Sequence, residues 1–296
     1  MARTMIQYPV MFRRKKFKLR LRSRTLSLGD RTLVMGVLNV TLDSFSDGGL
    51  YFDAEAAVAR ALDLQRAGAD ILDIGGESTR PGSAGISAEE ELRRVLPVLK
   101  GLRGQLRIPI SIDTSKAEVA EAAAEEGAEI INDVTALRAD PGIAEVARRN
   151  KLPLILMHMR GNPRTMQQKP FARDVMRDVT VALRKATAAA LRAGVVKSQI
   201  ILDPGFGFGK SYEQNFELLA RLPELSRLGY PLLVGTSRKS FLGRALGGAP
   251  ESERVWATAA TVAASILGGA HIVRVHDVGE MAQVAHVTDV IASGKT

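Results

Sequence analysis

Residues 200–210 read IILDPGFGFGK. A short apolar run with two β-branched residues ends in Asp203, passes through Pro204 and enters a loop with glycine at every second position. Such a segment predicts a strand buried on both faces that stops abruptly and delivers a polar side chain to the loop beyond it. The same event recurs along the chain. Apolar runs occupy 34–39, 70–74, 109–112, 129–131, 153–157, 200–202, 231–234 and 271–275. Between them lie segments of helical period, such as 54–67, where Ala57, Ala61, Leu64 and Ala67 recur on one face while Arg60, Asp63 and Arg66 point away. Residues 116–126, 171–193 and 251–268 repeat the pattern. Eight strand–helix pairs of this size predict an α/β protein with the (β/α)8 TIM-barrel fold, since an open doubly wound sheet normally uses fewer strands. No Pro/Ser-rich linker divides the chain, so the expected organisation is a basic extension over residues 1–30 and one barrel over 31–296.

Composition narrows the chemistry. The chain has 296 residues, no cysteine and four histidines, which excludes disulfides, thiolate metal sites and a cysteine nucleophile. No apolar run approaches the roughly 18 residues of a membrane span, and the first residues lack the apolar stretch of a secretion signal, so a cytoplasmic protein with no membrane partner is expected. The net charge of +9 suggests a polyanion partner until it is located. Residues 1–24 hold nine basic side chains and no acidic one, and the remaining 32 basic residues balance the 32 acidic ones. The excess therefore belongs to a terminal arm, expected to be solvated rather than to bind nucleic acid. Within it Phe17, Leu19 and Leu21 alternate with Lys18, Arg20 and Arg22, and Leu26 and Leu28 come next, which predicts a two-stranded ribbon capping one end of the barrel.

In TIM barrels the active site forms at the C-terminal ends of the strands. Each apolar run here gives way to polar residues: Asn39, Asp73 with GGESTRPG, Asp113, Asn132 and Asp133, His158, Asp203, the GTSRKSF segment, then Arg274 and His276. Any one of these residues is more simply a helix cap. Taken together, Asp113, Asn132 and Asp203 converge on the barrel mouth opposite Lys239, Arg274 and His276. That mixture suits a flat heterocycle with amide and amino edges beside a diphosphate. GFGFGK at 205–210 lacks the spacing of a nucleotide-binding P-loop; its glycines instead allow a tight loop that turns Phe206 or Phe208 toward a ligand.

The segments NVTLDSFSDGG, DIGGESTRPG, SIDTSK, IIND, LMHMRGNPRTMQ, DPGFGFGK, GTSRKSF and VRVHDV, in this order from about residue 33 to 292, resemble the dihydropteroate synthase family. The resemblance implies an enzyme, a transferase of folate biosynthesis. It would condense 6-hydroxymethyl-7,8-dihydropterin pyrophosphate with p-aminobenzoate, giving 7,8-dihydropteroate and pyrophosphate. It implies a pterin clasped by Asp203, with Asn132 and Asp113 on the rest of its edge, Lys239 on its carbonyl side, and Phe208 and Met157 as walls. Asn39, Arg274 and His276 would hold the pyrophosphate, with Asn39 also a ligand of Mg2+. Phe45, Thr79, Pro81 and Ser240 would surround p-aminobenzoate, while Asp47 and Arg80 would act from the two closing loops. A homodimer is implied as well. The rival readings are a corrinoid-linked pterin methyltransferase domain, which would not need ESTRPG or SRKSF, and an inactive pterin-binding homologue, which would not need Asp47, Arg80 or Ser240. One departure from the family motif is Leu42 in place of proline, which frees the first loop by roughly 0.4 to 1 kcal/mol.

Overall fold

The computed structural model describes residues 14–40, 54–80, 82–162, 165–166 and 173–294. An antiparallel hairpin of β1 (Phe17–Arg20) and β2 (Thr25–Leu28) comes first, followed by β3 (Leu33–Asn39), α1 (Ala54–Arg66), β4 (Ile71–Gly75) and α2 (Ala88–Leu102). Then come β5 (Ile110–Asp113), α3 (Ala117–Glu125), β6 (Ile130–Asp133), α4 (Gly142–Asn150), β7 (Leu154–Met157) and α5 (Val175–Arg192). The chain continues through β8 (Ile200–Asp203), α6 (Tyr212–Ala220), β9 (Leu233–Val234), α7 (Ser240–Ala245), α8 (Val255–Leu267), β10 (Ile272–Val275) and α9 (Val278–Ser293). Strands β3 to β10 form one parallel sheet in the order β8-β7-β6-β5-β4-β3-β10-β9, and a parallel bridge between Leu202 and Leu232 closes it into the expected barrel. The run at 231–234 is a strand only over Leu233–Val234, because its first residues are spent on that closing bridge.

The two-residue period of a strand sorts the barrel into an outside and an inside. Outward residues such as Leu72, Ile74, Ile112, Leu154, Leu156 and Val273 pack with the helices in the main core. Inward residues Met35, Ile71, Ile130, Ile155, Ile201, Leu233 and Ile272 make a separate apolar plug near the N-terminal end. Two residues further along the same strands stand Val37, Asp73, Asn132, Met157, Asp203, Gly235 and Arg274. In one step of the period the inside of the barrel thus gains the polar side chains Asp73, Asn132, Asp203 and Arg274, and that step places the site.

The hairpin covers the opposite end. Leu19 and Leu28, at 1% and 0% exposure, belong to the plug. Among the described residues of this segment Lys15, Lys16, Lys18, Arg20, Arg22 and Arg24 are exposed, and some of its basic side chains are also tied to the barrel. Arg22 Nη2 donates to the carbonyls of Ala124 and Ala128 at 2.5 and 2.6 Å, at and just beyond the C-terminal end of α3, where a cation is favoured. Ser23 donates twice to the Glu129 carboxylate, and Arg14 pairs with Asp289 while donating to Thr32 Oγ1 at 2.6 Å. Composition counts charge but cannot see the carbonyls and carboxylates at the barrel's bottom rim. Among the described residues no helix is long and apolar enough to cross a membrane.

Truncating Leu28 to alanine should cost about 2 to 5 kcal/mol, lowering the melting temperature by roughly 5 °C or more. Pterin affinity should hold, because the plug separates Leu28 from the mouth. An unchanged melting temperature in calorimetry would show that the hairpin is not part of the core.

Candidate active site

A cleft opens at the C-terminal mouth of the barrel, where small-molecule sites of this fold form. Its lining includes Thr79, Asp113, Asn132, Met157, Asp203, Phe208, Lys239, Arg274 and His276, each expected at a ligand site from sequence. Asn39 ends β3 at the mouth with an exposed side chain and does not line the cleft. Arg80 and Ser240 are also exposed, and Arg80 reaches across to Glu251 at 3.2 Å. Phe45, Asp47 and Pro81, with Leu42, lie outside the described residues.

Arg274 organises the floor. Its Nε donates to Asp73 Oδ2 at 2.6 Å and its Nη2 to Asp113 Oδ2 at 2.7 Å, so two strands' carboxylates grip one guanidinium. Nη1 makes no hydrogen bond among the described residues. The expectation that Arg274 stands opposite the acidic residues is thereby refined: it is bound to them, with one nitrogen left over.

Asp203, 6% exposed, takes the Gly205 N–H on Oδ1 at 2.7 Å. Burial pushes its carboxyl up to about 6, against the pull of that N–H and of Lys239 and Lys210. Burial likewise raises Asp113 to about 7, with Arg274 opposing. Lys239 is lowered to about 8, first by burial and then by Arg274, and its ammonium lies 4.2 Å from the centre of the Phe208 ring. Phe208 packs with Val134, Met157, Met159 and Met166, an apolar wall against which a flat ring can lie.

The glycine loop owes its shape to the strand beside it. A side chain at Gly205, φ +67°, would put Cβ 2.0 Å from the His158 carbonyl, so only glycine fits. Below the loop the buried ammonium of Lys210 reaches Gly205 O at 2.7 Å, Phe208 O at 3.2 Å and His158 Nδ1 at 2.8 Å. Lys210 was not singled out from sequence. The signal available was a lysine closing a glycine run that has no phosphate-loop spacing.

Ser237 was also missed, and it meets His276 twice. The His276 backbone N–H donates to Ser237 Oγ at 3.2 Å, and that hydroxyl lies 3.0 Å from His276 Nδ1. The oxygen keeps a second lone pair, so the hydroxyl either donates to Nδ1, leaving the ring's N–H on Nε2, or accepts an N–H from Nδ1. Burial, together with Arg274, Arg238 and Lys239, lowers His276 to about 3. The ring is therefore neutral at physiological pH.

A barrel whose mouth combines buried acceptors, a cation and an aromatic wall defines a pterin-binding enzyme, and the family model described as "Pterin binding enzyme" matches residues 35–276. A dihydropteroate synthase of Synechocystis is 51% identical over 263 residues, covering 89% of this chain and 91% of that protein. The Yersinia pestis dihydropteroate synthase, solved as a complex with a sulfonamide drug, superposes with a TM-score of 0.88 at 43% identity, over 94% of this chain and 100% of the other. A Xanthomonas albilineans dihydropteroate synthase in complex with 7,8-dihydropteroate superposes at 0.81 with 40% identity, over 93% and 98%. The chain belongs to the dihydropteroate synthase family and is a transferase.

A ligand that offers N–H donors to Asp203 and Asp113 favours their ionised forms, so binding draws protons off them. Affinity for a pterin should rise as pH climbs through about 6 to 7. It should fall again above about 8, where Lys239 loses its proton and its role as donor. Calorimetric titrations across this range in buffers of different ionisation enthalpy measure both limbs and the released protons; a flat profile would contradict the assignment of donors and acceptors.

Proposed function

We propose that the cleft transfers the pterin methylene from pyrophosphate to the amine of p-aminobenzoate, giving 7,8-dihydropteroate. The observation that carries this reading is the meeting of Asp113, Asn132, Asp203 and Lys239 with Arg274 and His276 in one cleft of a chain of this family. The pterin's ring N–H and amino groups would face Asp203 and the Asn132–Asp113 edge, its carbonyl would meet Lys239, and its plane would lie against the wall that Phe208 and Met157 form. Arg274 Nη1 would donate to the pyrophosphate, joined by His276 when its ring carries the N–H on Nε2.

The methylene C–O bond breaks with its electron pair passing to the pyrophosphate oxygen. The amine nitrogen then bonds to the methylene carbon and gives up a proton. Donors aimed at the departing oxygen stabilise the charge that develops there. Thr79 borders the second substrate, and Phe45, Pro81 and Ser240, at the start of α7, would complete its site. Asp47 would stabilise the cationic methylene, and Arg80 would hold the second loop closed against water.

The polar side chains fit Mg2+ as a substrate-bound ion. Among the described residues no cluster of three acidic or histidine side chains forms a protein cage, whereas the exposed amide of Asn39 at the mouth supplies one oxygen ligand. Phosphate oxygens and water would complete the shell, and the ion would supply charge neutralisation of the leaving pyrophosphate. In this reading residues 1–30 form an N-terminal extension and residues 31–296 a catalytic barrel. It acts in the cytoplasm as a homodimer paired through its outer helices. Exposed Trp256 on α8, with Val287 and Ile291 on the adjoining α9, supports that pairing.

A coupled assay should release one pyrophosphate per dihydropteroate formed, with no signal when either substrate is left out and a large loss of rate when Mg2+ is chelated. Tight binding of the pterin pyrophosphate without product at any Mg2+ concentration would reduce the protein to a binding module.

A further inference from the structure

Asp73 has no part in the chemistry above. It is completely buried beneath the cleft and does not line it, yet it holds two residues that do. Its Oδ2 accepts from Arg274 Nε at 2.6 Å and from Asn132 Nδ2 at 3.1 Å. The two ends of a side-chain amide are alike in shape, so its neighbours decide which end points where. An oxygen that already takes the Arg274 N–H carries no proton of its own, so the end of Asn132 facing it is the NH2. Asn132 Oδ1 is consequently the end turned away. It is buried and has no hydrogen-bond partner among the described residues, a costly state for a carbonyl unless a ligand donor meets it.

We propose that Asp73 is a positioning residue that fixes Asn132 as a hydrogen-bond acceptor toward the ligand and aims Arg274 at the ligand's pyrophosphate. The inference rests on the reading of this cleft as a pterin site. On it, the edge of the ligand that meets Asn132 must be an N–H donor, and an analogue with an acceptor there is rejected. Specificity at that edge is set from below by a residue the ligand never touches. The Nε contact with Asp73 and the Nη2 contact with Asp113 together leave Nη1 as the nitrogen for phosphate.

The test changes each side of the contact in turn. Asn132→Asp sets a second carboxylate against Asp73 and should weaken a plain hydroxymethylpterin about 10-fold or more. Asp73→Leu should weaken hydroxymethylpterin about 10-fold and its pyrophosphate by more, because Arg274 is released as well. An Asn132→Asp or an Asp73→Leu protein within twofold of wild type would overturn the proposal. Wild-type protein that binds no pterin would instead overturn the reading of the site. If the variants do not fold, the Asn132 amide protons of the wild type give the answer. They should be protected from exchange before ligand is added and unshifted afterwards; protection that arises only with ligand would refute the role of Asp73.

Discussion

One guanidinium sits inside a parallel barrel with carboxylates from two strands on it. A buried charge of this kind is stable only when paired and hydrogen-bonded, and removing one partner typically costs about 3 to 5 kcal/mol. Arg274 on β10 therefore depends on Asp73 on β4 and Asp113 on β5, and they depend on it. Those strands are not adjacent to β10; β3 lies between. The pair of contacts spans β3 inside the barrel and ties β10 to β4 and β5 where the apolar plug stops. The positions of Asn132, Asp203 and Lys239 acquire their meaning from that arrangement.

Burial gives these groups their reactivity as well as their geometry. Water would meet the demands of Asp203 and Lys239 equally well in an open groove, and their affinities for protons would then be ordinary. In the cleft the carboxyl of Asp203 is pushed up to about 6 and the ammonium of Lys239 down to about 8, so both remain ionised in a narrow window around neutrality. His276 lies on the other side of that balance. Buried and surrounded by Arg274, Arg238 and Lys239, it stays neutral and adds no charge. A ligand with N–H donors at one end and a polyanion at the other matches this division.

Much of this was legible in the sequence because a barrel strand announces itself twice, by an apolar run and by the polar residue that ends it. IILD at 200–203 and IIND at 130–133 carry both marks, and both place their last polar residues at the mouth. Asp73 was visible as a charge inside the run ILDIG, but its partners, 59 and 201 residues away, were not. Ser237 hid within a motif whose lysine drew attention, and only the fold brings it under His276. The basic segment was only partly legible for a related reason: a composition count cannot show that Arg14 reaches the Ala270 carbonyl and Arg22 that of Ala124, 256 and 102 residues on.

The central claim is that an ionised carboxylate at the end of β8 accepts the pterin's N–H groups. Asp203→Asn tests it most directly, since the amide keeps the shape and the Gly205 contact but turns one acceptor into a donor facing a donor. Titrating a pterin pyrophosphate analogue calorimetrically into wild type and variant should show a loss of about 30- to 1000-fold, the equivalent of roughly 2 to 4 kcal/mol. Affinity within threefold of wild type would mean that Asp203 serves only to shape the turn before Pro204, and that the pterin lies elsewhere.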